Sequence, residues 1–145
     1  MGRLNELRLT PVLKAFERPL LGVCLGQQLL YAGSDEGDAD CLGLIPGQVE
    51  RLQPAPDRPV PHMGWNRLAK SQDDPLLDGV DDGAYAYFVH SFACPVGEAT
   101  LAESRYGQPF SAVVRKDNVW GCQFHPERSA DVGATILSNF MALEC

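Results

Sequence analysis

At 145 residues the chain has the length of one domain with a real core, and its apolar and charged fractions are those of an ordinary globular protein. A formal net charge of −7 argues against nucleic acid or an anionic membrane as the main partner. The five cysteines contain no C-x-x-C pair. The longest apolar region, 19–31, is broken by Gly22, Gly26, Gln27 and Gln28 and is too short to span a bilayer. The expectation is a reducing, cytoplasmic setting with no metal or cofactor, where a lone cysteine is either core filler or a nucleophile.

In chain order, residues 3–9 suit a short helix with Leu4 and Leu7 on one face. Thr10-Pro11 reads as an N-cap and first helical position, opening a second helix to about Phe16. The apolar run 19–23 predicts a strand buried on both faces, followed at once by a helical pattern through Leu25, Leu29 and Leu30. Residues 33–40 read as an acidic, glycine-rich loop. With five prolines, 45–61 reads as loop holding at most one short strand near 49–52. Asp74-Pro75 predicts one helical turn. Strands are expected at 84–91, 100–105, 110–115 and 119–124, the last three joined by turns at Tyr106-Gly107 and Asp117-Asn118 and so antiparallel. Ser129 reads as the N-cap of a final helix whose Val132, Ile136, Leu137 and Phe140 share a face. The class is α/β, with a parallel part early and a hairpin-rich part later.

The chemistry concentrates at two places. In Gly22-Val23-Cys24-Leu25-Gly26, small residues flank a cysteine at a strand-to-helix junction, the pattern of a nucleophile elbow. Such a sulfur would sit at a helix N-terminus that favours thiolate, beside the Leu25 N–H as an oxyanion-hole donor. The alternative is a buried structural cysteine between packing glycines. The second place is Gln123-Phe124-His125-Pro126-Glu127. Pro126 biases His125 toward extended geometry, and residues two apart in an extended segment face the same way. Glu127 could then hold one nitrogen of the His125 ring while the other takes a proton from a thiol. A loop histidine paired with a surface glutamate is the ordinary alternative. His62 and His90 lack a further ligand at metal spacing and read as structural; Cys41, Cys94, Cys122 and Cys145 read as filler or surface thiols.

Together, 22–28 and His125-Pro126-Glu127 resemble the class I, triad-type glutamine amidotransferases. The segments 61–66 (PHMGWN) and 87–92 (YFVHSF) are similar to stretches of the histidine-biosynthesis branch, the glutaminase subunits of imidazole glycerol phosphate synthase. The resemblance runs from about Arg3 to the C-terminus. It implies a flavodoxin-like sheet, a Cys24 nucleophile, His125 as acid/base and Glu127 as its orienter. Cys24 would attack the glutamine amide and release ammonia by way of a glutamyl thioester. Gln28, Glu36, Tyr87 and Ser91 match positions that contact glutamine, although Glu36 also reads as one more acid in a loop. Met63, Trp65 and Arg128 match positions that meet a (β/α)8-barrel cyclase, with a core role as the alternative for Met63 and Trp65.

Family members begin with further strands and helices, so the resemblance implies a partial amidotransferase domain over residues 1–145. The strands and the loop carrying the second oxyanion-hole amide would lie outside it, and losing one such donor typically costs roughly 10²–10³-fold in rate. The strand before Cys24 would present an unpaired edge, where a second copy could pair to form a homodimer. Three readings follow: a glutaminase subunit that feeds a cyclase, an impaired fragment that keeps the fold and the partner surface, or a relative serving another acceptor pathway.

Overall fold

The computed structural model describes residues 1–143. Two short helices, α1 (Gly2–Glu6) and α2 (Leu9–Lys14), precede the first strand. Thr10 does not cap α2: Arg8, at φ 55°, holds the N-cap, and Thr10 Oγ1 donates to Asn5 Oδ1 at 2.6 Å. Pro11 is tolerated one turn in because the first N–H groups of a helix have no intrahelical partner. The apolar run then forms β1 (Leu20–Val23) and passes through Cys24 into α3 (Leu25–Leu30).

The chain continues with β2 (Tyr31–Ser34), β3 (Ala39–Asp40), β4 (Ile45–Arg51), β5 (His62–Arg67) and β6 (Ala69–Lys70). A 3-10 turn at Pro75–Leu77 leads to β7 (Tyr85–His90), β8 (Phe92–Ala93), β9 (Thr100–Tyr106), β10 (Gln108–Lys116) and β11 (Val119–Cys122). A second 3-10 turn, Pro126–Arg128, opens into α4 (Ala130–Ala142). The four strands expected late in the chain are present, and β9, β10 and β11 pair antiparallel as their turns require. The expected loop at 45–61 is corrected: β4 takes up its first seven residues. Pro46 fits because the β2–β4 register shifts between the pairs Tyr31↔Ile45 and Gly33↔Gln48, leaving it at an irregularity that needs no ladder donor.

Among the described residues the strands form three sheets. The largest runs β1-β11-β10-β9-β6, with β1 parallel to β11; a second runs β3-β2-β4-β8; β5 and β7 form an antiparallel ribbon. The expectation that β1 is buried on both faces is corrected, since all four of its residues are half-buried and it lies at the sheet edge. Alternation along β10 and β11 divides the apolar side chains between two cores. Val113, Trp120 and Cys122 join a core with Phe88, Phe110, Phe124 and Ile136, which α4 covers. Val114 and Val119 join the other, with Leu30, Tyr31, Ile45 and Val49. Helix α3 packs close on the sheet there: a Cβ at Gly121 would stand 2.7 Å from Gln27 Cγ.

The inward stripe of α4 is Gly133, Ile136 and Phe140; Leu137, about 100° further round the helix, stays exposed, contrary to the sequence reading. Asp74 caps its 3-10 turn as predicted, accepting from Leu76 N (2.9 Å), and also takes Trp120 Nε1 (3.1 Å) and Arg115 (2.7 Å) while itself buried.

Candidate active site

The junction after β1 has the geometry of an elbow. Cys24 lies at φ 52°, ψ −108°, a backbone region that non-glycine residues enter only when surrounding structure compels them, at about 1–3 kcal/mol. What compels it is pairing on both sides. Cys24 N–H continues the β1–β11 ladder by donating to Cys122 O at 2.7 Å, and Cys24 O already accepts from Gln28 N in α3. Gly22 is essential to this turn, because a Cβ there would lie 2.5 Å from Gly26 C and O. Gly26 differs: a Cβ there meets nothing within 4 Å. Of the two flanking glycines, only the first is required by close packing.

The sulfur does not rest as a favoured thiolate, which corrects the sequence expectation. Burial pushes the Cys24 thiol above its ordinary value; the Leu25 N–H acts against that shift, Glu127 adds to it, Gln123 acts against it and Glu36 adds to it. Removal of water from a half-buried sulfur outweighs the pull of a helix only six residues long. The thiol donates to Val89 O at 3.9 Å.

His125 and Glu127 meet as the i, i+2 argument requires: Nδ1–H donates to Glu127 Oε1 at 2.8 Å. Desolvation opposes ionisation of Glu127, but its own backbone amide, the His125 ring and Arg128 overcome it and leave the carboxyl below its usual range. His125 is set in place by β7. Its N–H donates to Tyr87 O at 2.9 Å, and its carbonyl accepts Ser129 Oγ–H at 2.7 Å while that Oγ accepts Tyr87 N–H at 2.9 Å. Ser129 therefore occupies the N-cap position of α4 without capping it; its hydroxyl rivets His125 to β7. Tyr87 and Val89, two apart on one strand edge, thus hold His125 and Cys24 respectively, roughly 7 Å of strand between them.

The other predicted residues divide. Leu25, Gln28, Glu36 and Ser91 line a cavity of about 390 Å³ with Cys24, alongside Val89 and His90. Gln28 is buried, with both amide hydrogens engaged, on Phe92 O (2.9 Å) and Gln123 Oε1 (3.1 Å). Tyr87 is not brought into that lining; its ring stands edge-on to Trp65, 6.0 Å between centroids. Met63 and Trp65 are 63 % and 52 % exposed on the outer face of the β5–β7 ribbon, which removes the core alternative, and Arg128 is exposed just beyond Glu127. A larger cavity of about 490 Å³, walled by Tyr31, Pro46, Pro95 and Val96, contains none of the candidate residues.

Gln123 escaped the sequence reading. It is fully buried, and its Nε2 donates to Cys24 Sγ at 3.8 Å. The parity that placed Glu127 beside His125 applies equally two residues upstream, so the signal was present. His62 and His90 are structural: His62 Nδ1 contacts His90 Nε2 at 3.0 Å, His90 Nδ1–H reaches Phe92 O at 2.7 Å, and burial lowers both rings to about 4. Cys41, Cys94 and Cys122 are buried free thiols; Cys145 lies outside the described residues.

The family model for class-I glutamine amidotransferases matches residues 5–143, a span that holds both the cysteine elbow and the His-x-Glu pair. This chain belongs to that family. The amidotransferase is 52 % identical over 144 residues to the imidazole glycerol phosphate synthase subunit HisH of Xylella fastidiosa (strain Temecula1), spanning 99 % of this chain and 72 % of that protein. It is 48 % identical over 149 residues to the HisH subunit of Vibrio cholerae, spanning 99 % of this chain and 73 % of that one. Among solved structures it resembles a glutamine amidotransferase of Thermotoga maritima (TM-score 0.60, 18 % identity), covering 94 % of this chain and 53 % of that one. No helix among the described residues is long and apolar enough to cross a membrane.

Proposed function

We propose that the chain is a glutamine amidohydrolase supplying ammonia to a cyclase in histidine biosynthesis, in a cytoplasmic setting, its residues forming one amidotransferase domain. The observation that carries this reading is Cys24 held at a strained elbow against Val89 O while His125 is held at Tyr87 O, two residues along the same strand, in a chain about half identical to HisH subunits. In this scheme Glu127 fixes the Nδ1–H tautomer, so Nε2 of His125 takes the thiol proton. A base is necessary because the thiol pKa is raised rather than lowered. The sulfur attacks the amide carbon of glutamine, and the developing oxyanion meets the Leu25 N–H. His125 returns the proton to departing ammonia, and water then cleaves the glutamyl thioester. Gln28, Glu36 and Ser91, which line the cavity with Cys24, are the proposed glutamine contacts; Tyr87, outside that lining, acts here through its backbone hold on His125.

The proposed partner surface is the outer face of β5–β7, where Met63 and Trp65 lie exposed beside Tyr85, together with the exposed Arg128; a (β/α)8-barrel cyclase is the proposed occupant. The edge of β1 opposite β11 carries no strand among the described residues, and a second copy pairing there would form a homodimer that light scattering detects. A second reading, an impaired amidotransferase that retains the partner surface, is favoured by the raised thiol. Glutamate release from glutamine, measured with and without the cyclase, separates the two: the enzyme reading requires turnover that Cys24→Ser abolishes. Turnover absent in both conditions, with the cyclase still bound, would establish the second.

A further inference from the structure

The thiol of Cys24 is placed against groups that prefer different protonation states. Val89 O is an acceptor and suits S–H; the Leu25 N–H and Gln123 Nε2–H are donors and suit S⁻. Glu127 and Glu36 oppose ionisation from further off. As the proton leaves, the contact with Val89 O is lost and only the donors remain useful.

The orientation of the Gln123 amide is fixed by its neighbours. Gln28 Nε2 donates to both Phe92 O and Gln123 Oε1, and an amide nitrogen offers two hydrogens and no acceptor. The Gln123 atom facing Gln28 must therefore be the oxygen, which turns Nε2 toward the sulfur. A flipped amide would set two NH2 groups against each other and leave an oxygen facing a thiolate. Gln123 cannot swing away, because it is fully buried and its backbone N–H is tied to Ala112 O at 2.9 Å. The same carbonyl, Phe92 O, also accepts from His90 Nδ1 at 2.7 Å, so the chain of amides is anchored at both ends.

We propose that Gln123 is a thiolate-supporting residue of this site, its side-chain amide locked by Gln28 so that a donor always faces the Cys24 sulfur. The proposal rests on the reading of Cys24 as the reacting nucleophile. Its role is to favour the ionised sulfur over the thiol, with no contact to glutamine required.

The test is the pH dependence of iodoacetamide alkylation at Cys24 in the full chain, read by peptide mass for wild type, Gln123→Met and Gln123→Glu. Met keeps the volume and removes the donor; Glu keeps the shape and the acceptor for Gln28 but sets an anion against the sulfur. The midpoint should rise by about one pH unit in Gln123→Met, so that alkylation at pH 7 slows about tenfold, and further in Gln123→Glu. The high-pH plateau rate should stay within about twofold of wild type, which separates ionisation from access or misfolding. Unchanged midpoints in both variants would overturn the proposal. The nucleophile reading has its own control in the wild type: a chloroketone analogue of glutamine must modify Cys24 faster than Cys41, and failure there sinks that reading while leaving the alkylation midpoints to judge Gln123.

Discussion

The buried pair His62–His90 makes this fold sensitive to mild acid, and the size of the effect can be worked out. Asn66 Nδ2–H points at His62 Nε2 (3.3 Å), His62 Nδ1–H at His90 Nε2 (3.0 Å), and His90 Nδ1–H at Phe92 O (2.7 Å). Every ring nitrogen is used and both rings are neutral, so a further proton must point at another hydrogen. His62 is also stacked between Phe88 and Tyr106. Burial accordingly lowers both groups to about 4 from 6.5; His90 is further lowered by the neighbouring His62 and His125, against a partial offset from its bond to Phe92 O. Between those values the unfolded chain binds protons that the folded chain refuses, so stability is intact above pH 6.5 and falls as pH drops toward 4. Between pH 7 and pH 5 the linkage relation gives roughly 2 kcal/mol for one ring and roughly 4 kcal/mol for both. With a urea dependence of about 1–3 kcal/mol per molar, the unfolding midpoint should fall by at least about 1 M. The cleanest assay uses a His125→Gln background, since the chain has three histidines and the slope then belongs to this pair. A midpoint flat between pH 7 and pH 5, or a ring titrating near 6.5 by NMR in the folded protein, would refute the reasoning.

Four further outcomes follow from the site and its supports. Gly22→Ala should destabilise the chain by several kcal/mol or prevent its accumulation, because the added methyl meets backbone rather than a movable side chain; Gly26→Ala, with open space and a helical backbone, should raise the thermal midpoint by up to about 1 kcal/mol equivalent. Ser129→Ala leaves Tyr87 N–H and one lone pair of His125 O without their partner. It should cost about 1–3 kcal/mol in urea unfolding and lower glutamine turnover, while iodoacetamide still reaches Cys24 at the wild-type rate. Trp65→Ala should weaken cyclase binding by about 2 kcal/mol in calorimetry and leave the urea midpoint unchanged, since half of the side chain already faces solvent.

The sequence was most legible where one periodicity ruled a segment. Strands β7, β9, β10 and β11 alternate cleanly or run apolar between turn signals, and Cys24, His125 and Glu127 sit where local chain geometry determines their placement. It was least legible where tertiary partners override local preference. Strand β5 follows a proline-rich stretch and puts Met63 and Trp65 outward and His62 inward, the reverse of what polarity suggests. Strand β2, Tyr31–Ser34, hides in a glycine-bearing segment because β4 pairs with it from fourteen residues further along. The direction of the Cys24 shift was misread because helix termini are visible in a sequence, whereas the depth of a sulfur below the surface is not.

Strand β7 is where these separate features become one. Its edge toward β5 makes the ribbon; its other edge supplies Tyr87 N, Tyr87 O and Val89 O to Ser129, His125 and Cys24. Its inward face carries Ala86, Phe88 and His90 into the core, and its outward face sets Tyr87 against Trp65. The residues whose carbonyls hold Cys24 and His125 are therefore the residues whose side chains look out beside Met63 and Trp65. Alternation forces this, because in a strand the residues whose backbone groups point to one edge also share a face. A substitution on the exposed face of β7 accordingly acts on a backbone that positions both halves of the candidate site. An altered rate in such a variant is evidence about the surface only when the Cys24 alkylation profile is unchanged.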